Sequence, residues 1–235
     1  LDLVPRPAST PDEARRRRAA ATTSREEAER RRTVAVAVFD VLVEAGDPEG
    51  ELDPELVSNV ESRAFELLAA SIERHHGVVY RAVSIRVVAV FGAAAVHEDD
   101  TLRAARAALD AESALTALAL ELETELSVGL VFRCGIESGV ALVGRDEADD
   151  LVVTGNVLAS ADRSAATAAP GEILVGNVAR SLLAGAAKVE QRDALWRLVD
   201  AGRGTASRRH DAALVGREDE LSQIRGTLER IAEER

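Results

Sequence analysis

Residues 33–42 read TVAVAVFDVL, a run of β-branched and apolar side chains broken by a single charge, Asp40. Valines and threonine lose side-chain freedom in a helix and pack well on a pleated surface, so the run reads as a buried strand. A buried strand needs hydrogen-bonding neighbours and a covering layer, and the rest of the chain must supply both.

The segments that follow supply candidates for each. Asp53-Pro54 opens a helix with proline at its first position. Leu56, Val60, Phe65, Leu67, Leu68 and Ile72 mostly keep the helical period, and Gly77 ends it. Strands are expected at 78–83 and 86–91 with a tight turn at Ser84-Ile85, then a long alanine-rich helix from about 99 to 122 carrying Leu102, Ala105, Leu109 and Leu115. Residues 128–137 and 140–144 read as a strand pair joined at Ser138-Gly139, and 151–153 as a short extended piece. Gly155 leads into a helix through Arg163, Pro170-Gly171 is a turn, 173–175 a strand and 178–183 a short helix, and 189–199 can close a hairpin around Asp193. The order βαββαβ with further pieces predicts an α+β fold, a mostly antiparallel sheet with helices on one face.

Around this domain, assigned to residues 33–200, lie less regular segments. Residues 1–32 read as a linker with three prolines, four arginines at 15–18, and a short helix from a Ser24/Glu27 capping box to near Arg32. Residues 201–213 read as a second linker, and 214–235 as the start of something new. No methionine occurs, even at position 1, so the chain is expected to be an excerpt of a longer protein.

Hydrophobic residues at 46% against 30% charged suffice for a buried core and exclude wholesale disorder. A net charge of −12 argues against a broad nucleic-acid surface, and the arginines at 15–18 have no aromatics or second basic cluster beside them, so they read as a solvated hinge. The single cysteine, Cys134, excludes an internal disulfide framework and a cysteine-based zinc site. No apolar run reaches membrane-spanning length and no secretory signal is visible, so a cytoplasmic protein without a membrane partner is expected. The acids after His97 (Glu98, Asp99 and Asp100) read as helix-capping groups, and His75 and His76 as the end of a helix.

Four stretches stand in a telling order: Glu73-Arg74-His75-His76-Gly77; Ala89-Val90-Phe91-Gly92 running into His97-Glu98-Asp99-Asp100; Arg133-Cys134-Gly135-Ile136 to Gly139; and Pro170-Gly171-Glu172-Ile173-Leu174-Val175. Together they make residues 33 to about 199 resemble the class III adenylate/guanylate cyclase catalytic domain, with its ferredoxin-like βαββαβ core. Separately, Leu214-Val215-Gly216-Arg217-Glu218 and the amphipathic helix after it resemble the start of an AAA- or STAND-type signalling ATPase. Cyclase-like domains commonly precede such ATPases in large bacterial regulators.

The resemblance implies a chemistry that can be tested residue by residue. Cyclisation of a nucleoside triphosphate uses two metal ions held by two carboxylates. The family's first aspartate falls on Asp40, but the second, in the turn between the next two strands, falls on Ile85, which cannot ligate magnesium. The family's glycine turn and small hydroxyl residues beside the phosphates read Val43-Glu44-Ala45 here. On the helix after Gly155, the asparagine and the arginine that steady ribose and transition state fall on Ala159 and Arg163. The purine-selecting pair falls on Arg81 and Asn156, and both can still hydrogen-bond a base. Asp40 can equally end a strand, and Arg163 can be a surface arginine. The expectation is a degenerate, inactive cyclase-homology domain serving as a regulatory or dimerisation module beside the ATPase. The alternatives are an active or residual adenylate cyclase, and a purine-nucleotide sensor without turnover. No cofactor is firmly implied, with Mg2+ needed only if nucleotide binding persists. The implied partners are a second copy, the ATPase domain and a purine nucleotide, not nucleic acid.

Overall fold

In the computed structural model, residues 30–45, 52–146 and 148–202 are described. The apolar run lies in β1 (Arg30–Ala45), and its two sets of alternating side chains enter different cores. Ala35, Ala37, Phe39 and Val41 face one way, and Val34, Val36 and Val38 the other. Burial on both faces is why the sequence shows a continuous apolar run rather than alternation.

The first core lies under α1 (Pro54–Arg74) and α2 (Asp100–Leu126). Asp53 caps α1 by accepting the Glu55 N–H at 2.8 Å. Leu68 and Ile72 from α1 and Leu115 and Leu122 from α2 are fully buried, each contributing about 1.5–3 kcal/mol of apolar burial. Ala104, Ala105, Ala107, Ala108 and Ala111 are also shut off from solvent, and these small side chains let α2 pack close. The helix runs four residues beyond the expected 122, until Ser127 turns into the left-handed region at φ 52°.

Eight strands of the described residues form one sheet in the order β2-β3-β1-β4-β6-β8-β7. They are β1, β2 (Val78–Val83), β3 (Arg86–Phe91), β4 (Val128–Arg145), β5 (Leu151–Thr154), β6 (Glu172–Val175), β7 (Lys188–Arg192) and β8 (Leu195–Asp200), with β5 paired to β4 off this path. Only β4 and β6 run parallel. With helices α1, α2 and α4 (Asn177–Leu183) on the first core, this is the expected α+β fold; α3 (Asn156–Thr167) adds cover to the second, through Val157, Ala161 and Ala165.

Two local expectations fail. Arg30, Arg31 and Arg32, expected at the end of a helix, are strand instead and pair with Val143, Leu142 and Ala141. The long partner strand offers them a ladder, and Arg32 donates to the carbonyls of Ala93 and Ala94 at 2.8 and 3.1 Å. The turn placed at Ser138-Gly139 is also absent, because β4 passes straight through, Ser138 opposite Ala35 and Gly139 opposite Val34. The Ser138 hydroxyl is paired with that of Thr101 at 2.9 Å in a buried site, and Gly139 leaves room for Val157. The capping box at Ser24, the arginines at 15–18, most of the 201–213 linker and the whole of 214–235 lie outside the described residues.

One inter-helix contact carries a pH signature. Asp110 Oδ2 on α2 lies 2.9 Å from His75 Nε2 and 3.1 Å from Arg74 Nη1, both at the end of α1. Burial pushes the Asp110 carboxyl up, but the hydrogen bonds and charges of His75 and Arg74 together outweigh it and leave its pKa below the ordinary 3.8. A depressed carboxylate adds stability above its unfolded pKa and loses it as pH falls through the folded one. Asp110→Asn is therefore expected to lower stability near neutrality by under ~1 kcal/mol, the contact being half exposed. In urea titrations the gap between variant and parent closes below pH 3.8.

Candidate functional site

The expected metal position, Asp40, lies where β3, β1 and β4 run side by side. Asp40 stands opposite Arg86 on one side and Arg133 on the other, so the three form a transverse row on the face that α3 covers. Arg86 Nη1 is 3.4 Å from Asp40 Oδ2, and Arg86 Nη2 donates to Asp162 Oδ1 of α3. The hydrogen bond to Asp162, helped by the charges of Asp162 and Asp40, holds the guanidinium above its ordinary pKa despite partial burial. Arg133 Nε is buried without a hydrogen-bond partner. Neither Arg86 nor Asp162 was singled out from the sequence. The signal was there: Arg86 is the one charge in the strand RVVAVF, and a charge in an apolar strand calls for a countercharge nearby.

Ile85 belongs to the first core, with 3% of its surface exposed. The turn that carries it is tight: Ser84 has φ 52°, and its hydroxyl donates to Glu61 of α1 at 2.6 Å. Val43-Glu44-Ala45, expected beside the phosphates, instead continue β1, paired with Leu130, Gly129 and Val128. A backbone committed to a ladder has no converging N–H groups to offer an anion.

The remaining predicted residues are on the surface and make local contacts. Arg81 lies over the ring of Tyr80, 5.0 Å from its centre, at an irregularity in the β2–β3 ladder. Asn156 is the exposed first residue of α3, Ala159 is exposed one turn later, and Arg163 donates to the Ser160 hydroxyl at 2.9 Å. The structure thus joins Asp40 to two residues that were not anticipated, and leaves Arg81, Asn156 and Arg163 uncommitted to the core. Cys134 is fully buried in β4, where burial pushes its thiol up and makes it a poor nucleophile. Asp99, expected to cap α2, makes no side-chain cap bond and pairs with Arg103 at 2.9 Å, while Asp100 accepts the His97 N–H.

These donors do not fit a two-metal centre. Asp40 is already engaged by a guanidinium, the second position is a buried hydrocarbon, and no group of three or more potential ligands gathers among the described residues.

The fold is that of adenylyl and guanylyl cyclase catalytic domains. The guanylyl cyclase Cya2 superposes with a TM-score of 0.64 at 19% identity, over 76% of this chain and 98% of that one. The adenylyl cyclase CyaB from P. aeruginosa gives 0.64 at 18%, over 75% and 99%. The guanylate cyclase domain of RhGC from Catenaria anguillulae, solved with GTP, gives 0.60 at 16%, over 74% and 100%. No protein-family model and no curated protein matches the sequence. Among the described residues no helix is long and apolar enough to cross a membrane.

Proposed function

We infer that residues 33–200 are a nucleotide cyclase-homology domain that does not cyclise nucleotide, and that it serves as a regulatory and dimerisation module of a larger signalling ATPase beginning near residue 214. The observation that carries the reading is Ile85, turned into the core where the reaction needs a second carboxylate. Cyclisation requires a 3′-hydroxyl made nucleophilic and a triphosphate whose growing charge is neutralised. Here one carboxylate remains, the phosphate-side backbone is a strand, and Ala159 has no group to offer a ribose. Losing one charge-stabilising group commonly costs ~3 kcal/mol, on the order of a hundredfold in rate, and three such losses leave little.

The dimerisation role draws support from apolar side chains beside the same row. Leu42 is 42% exposed and Val83 74%, a surface that favours being covered. A second reading, a purine sensor without turnover, is favoured by Arg81, Asn156 and Arg163, which stay exposed.

Incubation with ATP or GTP and magnesium or manganese is expected to yield no cyclic product by mass spectrometry. Product formation that Asp40→Ala abolishes would overturn the inference and favour the residual cyclase. Calorimetric titration separates the other two: nucleotide binding without product supports the sensor, and no heat supports the scaffold. Sedimentation at high micromolar concentration is expected to show dimers, and a monomer throughout would count against that role.

A further inference from the structure

The Asp40–Arg86–Asp162 arrangement does more than mark a lost metal site. We propose that the Arg86 guanidinium is the resident cation of this site, held by Asp40 of β1 and Asp162 of α3, and that it keeps divalent metal out. The proposal rests on reading Asp40 as a cyclase-type metal position, but it concerns occupancy rather than turnover.

A divalent ion approaching Asp40 meets two obstacles. The carboxylate already has a positive partner, Arg86 Nη1 at 3.4 Å, and Arg133 stands in register on its other side. To bind, the ion must displace one guanidinium and tolerate the other, while the buried Ile85 offers it no oxygen. The fork suits this task, because a planar guanidinium can engage two carboxylates from different elements at once and stays charged at any physiological pH.

The same fork ties α3 to the sheet. Asn156, Ala159 and Arg163 all lie on α3, so the helix that would face a nucleotide is positioned by a fixed internal charge. Without Arg86, Asp40 and Asp162 would lie near each other with no cation between them, and a metal ion could then take that place. The guanidinium thus both satisfies the site and blocks it.

The test is manganese binding, read by loss of the free Mn2+ electron paramagnetic resonance signal, alongside thermal unfolding with Mn2+ or with chelator. The parent protein should show no binding that depends on Asp40, and no shift in Tm. Arg86→Ala should bind Mn2+ about tenfold more tightly or better, since a like charge in contact with the ion is gone. Its Tm should drop by ~2–4 °C and recover with Mn2+. Arg86→Lys, which keeps the charge and loses the fork, should stay unresponsive to metal. Mn2+ binding by the parent that Asp40→Asn removes would overturn the proposal. So would an Arg86→Ala protein that responds to Mn2+ no differently from the parent. If Arg86→Ala fails to fold, Arg86→Gln serves in its place, and the comparison of parent with Asp40→Asn needs neither. Cyclic product from the parent without Asp40-dependent Mn2+ binding would sink the inactive-domain reading and leave the resident cation standing.

Discussion

Ile85→Asp is expected to cost about 3 kcal/mol and to restore no cyclase turnover. The side chain is 3% exposed within the core that α1 covers, so the substitution removes a packed hydrocarbon and strands a carboxylate among apolar neighbours. An unpaired charge in such a place commonly costs several kcal/mol, reduced here because a turn residue can swing toward water. The loss is measured by urea denaturation and the turnover by product mass spectrometry. Even a folded variant keeps Arg86 on Asp40 and a strand at Val43-Glu44-Ala45. A strong gain of product from this one change would mean that those two features matter far less than their geometry indicates.

Gly135→Val should be the more damaging change, upwards of ~4 kcal/mol and a drop of ~10 °C in Tm. A Cβ at this position would run into the Ala165 amide nitrogen and the Ala161 carbonyl, both backbone atoms of α3. Backbone cannot yield by changing rotamer, so α3 would have to lift from the sheet and take Asp162 away from Arg86. Thermal unfolding measures the loss. A Tm within two or three degrees of the parent would mean that α3 rides loosely on β4, and the close approach would lose its meaning.

Much of the fold was legible because it depends on local patterning. The double-sided burial of β1 appears as an unbroken apolar run, the ends of α1 as Asp53-Pro54 and Gly77, and the β2–β3 turn as Ser84-Ile85. What was misread depends on distant partners. Ser138-Gly139 carries turn chemistry, yet sixteen registered pairs with β1 hold it extended. The same ladder claimed Arg30–Arg32 as strand, against a helix-capping signal upstream. At the candidate site, the resemblance named Asp40, Ile85 and Arg163 but not the partners that the fold gives Asp40. The Arg86–Asp162 contact joins residues 76 apart in sequence, and an exposed acid on a helix gives no local sign of such a partner.

The ladders also differ greatly in length, and that has a mechanical consequence. Trp196 of β8 pairs with Val175 of β6, which stands level with Ile136 of β4, itself opposite Ala37 of β1. β8 therefore runs in the same direction as β1, so the start of β1 at Arg30 and the end of β8 at Asp200 lie at opposite ends of the sheet. A pull between them is directed along the strands and passes in series through β1–β4, β4–β6 and β6–β8. These ladders have sixteen, four and two registered pairs. In such a series the shortest seam yields first, so tension would strip away the β7–β8 hairpin while the β1–β4 ladder and the charged row across it stayed whole.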